Sequence, residues 1–100
     1  MVRERKISWD KEATAYLRRS IGHIRKESPQ YAENVKQDIL QKISELSRTP
    51  EIHPSDKYKQ NNDGNYRCIE LHRHRISYLV KEQEIITTRV RHTSQEPQQY

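Results

Sequence analysis

Cysteine, long apolar runs and repeats are what this chain has least of. Cys68 is the single cysteine in 100 residues, so neither an internal disulfide framework nor a multi-cysteine zinc site can be built. No apolar run is long enough for a signal peptide or a membrane span, and the opening Arg-Glu-Arg-Lys leads into no hydrophobic segment. A soluble cytoplasmic protein is therefore expected. There is no internal repeat and no low-complexity region. Apolar residues make up 31% and charged residues 33%, which limits the chain to one small domain over residues 1–100 with a thin core. That balance alone leans toward disorder, and the periodicities below argue against it.

Charge is present in excess of one sign. Nineteen Lys and Arg face fourteen Asp and Glu, a formal +5, which fits a polyanion, an acidic protein partner, or ordinary solubility.

Val2, Ile7 and Trp9 are the strong apolar groups of a first strand candidate, residues 2–8. Asp10 stands where a helix N-cap belongs, and Ala13, Tyr16, Leu17, Ile21 and Ile24 recur at helical spacing, predicting a helix over 11–27. Ser28-Pro29 restarts the pattern with a cap and a first-turn proline. Ala32, Val35, Ile39, Ile43 and Leu46 then form a stripe that ends by Thr49-Pro50. The short link predicts two adjacent helices packed as a hairpin. Residues 50–65 read as a loop with an Asp63-Gly64 turn.

Three strands follow, over 66–71, 75–80 and 85–92, joined by turns at His72–His74 and Lys81–Glu84. Alternation sets Ile76, Tyr78 and Val80, with Ile86, Thr88, Val90 and His92, toward the helices. Arg75, Arg89 and Arg91 are left on an open face, which suggests an anion site because like charges on neighbouring strands repel. The tail, Thr93 to Tyr100, has little to make it fold.

The order helix, helix, loop, three strands, with the segments DGNYRCIEL, HRHRISYLV and EIITTRVRH, resembles the RelE/ParE superfamily of bacterial type II toxins over essentially the whole chain. The resemblance implies an α+β fold of order β-α-α-β-β-β, an antiparallel sheet covered on one face by a two-helix hairpin, with the first strand paired into it. It also implies a cognate antitoxin. The superfamily divides between RelE-like ribosome-dependent mRNA endonucleases, whose partners are the ribosome and mRNA, and ParE-like inhibitors of DNA gyrase, which are not enzymes.

On the RelE side, Arg67 matches a basic residue at the start of the second strand and Arg75 an arginine of the third. Tyr100 falls at the family's terminal tyrosine if the tail is aligned without a gap. Ile69 and Ser94 depart, standing where a lysine and a catalytic arginine would be. Cleavage of RNA by its own 2′-hydroxyl needs a base, an acid and cations, and requires neither metal nor cofactor. Arg67, Arg75 and Arg91 could supply the cations, or form a solvated face. Tyr100 could act as a base if arginines lowered its pKa, or be an unstructured end residue. His92 suits either proton role, or a structural place against the helices. Lys57, Lys59, Arg73 and Arg89 are candidate RNA-binding groups. His72 and His74 with Cys68 lack the partners of a metal site. The expectation is a toxin with mRNA endonuclease activity; the alternatives are a gyrase inhibitor or a degenerate toxin that only binds its antitoxin.

Overall fold

The computed structural model describes residues 4–96 and 98–100. Its elements are β1 (Lys6–Trp9), α1 (Lys11–Glu27), α2 (Pro29–Glu45), β2 (Tyr66–Leu71), β3 (His74–Val80), β4 (Glu84–His92) and a 3-10 turn, Thr93–Gln95. The order is the expected one, although Val2 of the first strand lies outside the described residues. The sheet runs β1-β4-β3-β2. Its last three strands are antiparallel, and β1 joins parallel to β4 with Ile7 opposite Ile85, so the sheet is mixed rather than wholly antiparallel.

The helices begin and end where their polar residues can replace missing backbone partners. The Asp10 carboxylate accepts from the Glu12 amide at 2.9 Å. Ser28 serves both helices: its amide donates to Ile24 O, closing α1, and its hydroxyl accepts from the Tyr31 amide, opening α2. One residue thus makes the whole link. Leu17 and Ile21 of α1, Val35, Ile39 and Ile43 of α2 and Leu46 just after it are buried against Ile69, Ile76, Tyr78, Ile85 and Val90 of the sheet. Each such side chain contributes on the order of 1.5–3 kcal/mol on burial.

Simple alternation fails in β4, and the reason is a bulge. Ser77 pairs with Arg89, but the next residue, Tyr78, pairs with Thr87. Thr88 is the extra residue, and it shifts the phase of everything before it. Ile85 and Thr87, not Ile86 and Thr88, therefore share the helix-facing side with Val90. Burial agrees: Ile85 is fully buried and Ile86 half-buried.

The β2–β3 turn is also shorter than expected. Leu71 pairs with His74, so His72 and Arg73 alone make the turn, with φ of 49° and 60°. Both hold left-handed backbone without glycine or asparagine, at a cost of roughly 1–2 kcal/mol each. His74 becomes the first residue of β3 and is buried.

If the bulge sets the phase, Ile85→Ala should destabilise the protein by about 2–5 kcal/mol and Ile86→Ala by clearly less. Urea denaturation of the two variants reads the difference.

Candidate functional site

The sheet face that alternation leaves open is closed by other parts of the chain. The segment after α2 runs beside β2, held by Asp56 N donating to Tyr66 O at 2.8 Å and Cys68 N to Pro54 O at 3.2 Å. It carries Asp56 over the sheet, where the carboxylate meets Arg75 Nη2 at 2.8 Å and the Ser77 hydroxyl at 2.6 Å. Arg75 Nη1 reaches Glu70 at 2.8 Å, and the Tyr58 ring lies 4.4 Å from the guanidinium. Arg75 is 3% exposed and Asp56 1%.

The tail completes the cover. The Tyr100 amide donates to Tyr58 O at 3.0 Å, the Gln60 amide donates to Tyr100 O at 2.6 Å, and the Tyr100 hydroxyl donates to Asp56. Arg89 pairs with Glu96 at 2.6 Å and sits 4.4 Å from the Tyr100 ring centre. The exposed arginine face read from the sequence is thus corrected: Arg75 and Arg89 are buried and neutralised.

Electrostatics follows this burial. Removal from water would raise the Asp56 pKa, but hydrogen bonds from Ser77, Tyr100, Arg75 and the Tyr58 amide outweigh it and hold the carboxyl below its usual range. Tyr100 moves the other way. Burial and its hydrogen bond to Asp56 push the phenol above its ordinary value, opposite to the lowering that a general base would need. Burial pushes the Cys68 thiol up to about 11, leaving a protonated packing residue.

The other candidates are dispersed. Arg67 pairs across β2–β3 with Tyr78, on the sheet face opposite Arg75, and donates to Glu51 O and His53 O. Arg91 lies at the stretch of β4 that β1 does not cover; it donates to Val90 O at 2.7 Å and lies 5.0 Å from the Tyr16 ring. Lys57 sits over Tyr58, and Lys59 over Tyr66 and Tyr100. Arg73 is exposed at the β2–β3 turn. The structure brings Arg75, Arg89, Tyr100 and Lys59 together, and sets Arg91 opposite Arg75 across β3–β4 with its side chain turned onto Tyr16; Arg67, His92 and Arg73 lie elsewhere. Among the described residues, no group of three His, Cys, Asp or Glu is arranged to hold a metal ion.

A second cluster gathers where α1 meets the end of the sheet. His74 Nδ1 is 2.8 Å from His72 O and its Nε2 is 2.6 Å from the Ser20 hydroxyl. The carbonyl can only accept, so Nδ1 carries a proton, and in the neutral ring Nε2 accepts from the Ser20 hydroxyl. His92 packs edge-on to it at 5.6 Å and bonds the Ser94 hydroxyl through Nδ1 at 2.8 Å. The Tyr16 hydroxyl accepts from the His92 amide at 2.9 Å. These groups line a groove of about 850 Å3 with Arg19, His23 and Arg73. The cavity beside Arg75 is only about 340 Å3. Sequence reading missed Asp56, Ser20 and Arg19. The side-chain partners that place Asp56 and Ser20 in these sites, Arg75, Ser77, Tyr100 and His74, lie 19 or more positions away.

A profile described as the ParE toxin of type II toxin-antitoxin systems, parDE, matches residues 7–97. The chain belongs to the ParE toxin family. A chain from the chromosomal ParDE toxin-antitoxin system of P. aeruginosa shares its fold, with a TM-score of 0.70 at 19% identity over 90% of this chain and 97% of that one. A search of curated protein sequences finds no match. No helix among the described residues of this ParE family member is long and apolar enough to cross a membrane.

His74 ties the second cluster to stability. Burial holds its pKa below the ordinary value of 6.5, against the opposing pull of the His72 carbonyl, and the neighbouring His92 and His72 lower it further. The unfolded chain therefore takes up this proton at a higher pH than the folded one, so stability present above 6.5 is lost as pH falls below it. His53 shifts in the same direction. The urea midpoint should fall between about pH 7.5 and about pH 5, and His74→Gln should shrink that fall without abolishing it.

Proposed function

We propose that this ParE family member arrests growth by binding DNA gyrase, without cleaving RNA, and that a cognate antitoxin in the same cytoplasm neutralises it. The carrying observation is that the arginine and the tyrosine matched to a nuclease are spent on one another's neighbours. Arg75 is enclosed between Asp56 and Glu70, and Tyr100 donates to the same aspartate. A phosphate approaching Arg75 would have to displace two carboxylates and the segment that carries one of them. The lysine and the arginine that the nuclease pattern also calls for are replaced by Ile69 and Ser94.

The endonuclease reading is the less favoured of the two on these grounds. What favours a binder is a surface of two long amphipathic helices whose outer faces carry Arg18, Arg25, Lys26, Lys36 and Lys42, with Leu40 partly exposed between the charges. Such a face can dock on protein and needs no reacting group.

Purified protein added to a gyrase supercoiling reaction should inhibit it, and added to translating ribosomes should leave mRNA ends unchanged in primer extension. Codon-phased mRNA cuts with normal supercoiling would return the chain to the nuclease side. Failure of growth arrest on induction would mark a toxin that retains only antitoxin binding.

A further inference from the structure

Pairing sorts the described arginines into three groups. Arg75, Arg89 and Arg48 hold carboxylates, while Arg5, Arg67 and Arg91 donate to backbone carbonyls. Arg18, Arg19, Arg25 and Arg73 have neither kind of partner among the described residues; of these, Arg19, 5.8 Å from the Tyr16 ring centre, and Arg73 border the groove of about 850 Å3 between α1 and the β2–β3 turn. They come from different walls, Arg19 from α1 and Arg73 from the turn. His23 and His92 line it as well. Glu27 is the groove's one acidic lining residue.

A third observation points at the same place. The turn that presents Arg73 keeps left-handed backbone at two residues that have a Cβ, a conformation that glycine or asparagine would hold at lower cost. Positive φ at both central residues is what such a two-residue hairpin turn requires, and backbone strain held in this way clusters at binding and active sites.

We propose that the groove is a docking site for an acidic peptide segment of a partner protein, with carboxylate side chains seated between Arg19 and Arg73. Guanidinium groups on facing walls suit two separate carboxylates, each of which can take a forked pair of hydrogen bonds. Tyr16, Ile24 and Tyr31 offer apolar surface to the rest of such a segment. A nucleic acid fits less well. Its backbone needs a continuous cationic track, whereas here Glu27 lines the groove and Asp38 pairs with the adjacent His72 at 2.7 Å. The proposal goes beyond the gyrase reading and holds whichever target the toxin has.

Fluorescence anisotropy tests it with a labelled peptide rich in Glu and Leu, the same peptide with every Glu replaced by Gln, and a labelled single-stranded RNA. Arg19→Gln and Arg73→Asn remove the cations, asparagine being chosen because it tolerates the left-handed turn. Arg18→Gln, on the same helix outside the groove, controls for net charge. The Glu peptide should bind, and each groove variant should weaken it about tenfold, with Arg18→Gln near wild type. Equal binding of the Gln peptide, an equal loss in Arg18→Gln, or tighter binding of RNA through the same two arginines would each overturn the assignment.

Discussion

The ion pair between Arg75 and Asp56 is the constraint on which the second face of the sheet depends. Both groups are almost wholly removed from water, a state that costs several kcal/mol per ion unless each is paired and hydrogen-bonded. Here the aspartate accepts from Arg75, Ser77, Tyr100 and the Tyr58 amide. Those donors come from the sheet, the tail and the loop. One carboxylate thus binds together segments that have few apolar residues with which to bind one another. With so thin a core available, the side of the sheet that faces the helices takes nearly all the buried aliphatic side chains and the opposite face is closed by charge.

This division explains why a basic strand sequence need not be a catalytic surface. Arginines on neighbouring strands repel when they are solvated and unpaired. Arg75 and Arg89 avoid that by taking Asp56, Glu70 and Glu96 from outside their own strands. The cations left without such partners include Arg19 and Arg73, at the end of the molecule where α1 and the tight turn meet. The unpaired Arg19 and Arg73 are thereby set apart from the sheet face that carries Arg75 and Arg89.

Much of the fold could be read from local pattern. Asp10, Ser28-Pro29 and the stripe from Ala32 to Leu46 place both helices, since caps and helical spacing are contained within a few residues. The strands were legible for the same reason, and the Asp63-Gly64 turn appears with Gly64 at φ 101°. The phase of β4 was not, because a bulge is a property of the pairing between two strands and Thr88 looks like any strand residue. The closure of the open face was hidden too. Asp56 sits in a polar loop with nothing to show that it returns to a position over Arg75, and the tail offers no hydrophobic signal for its docking. His74 was read as a turn residue because two consecutive left-handed residues without glycine are not an expected turn.

The central claim is that Arg75 and Asp56 act as a single buried unit, and a double-mutant cycle on stability tests it most directly. Asp56→Ala and Arg75→Met should each cost about 3–5 kcal/mol, because each leaves an uncompensated buried charge. The double variant should cost far less than the sum of the two. Additive losses, or single losses below about 1 kcal/mol as for a solvated surface pair, would contradict the account.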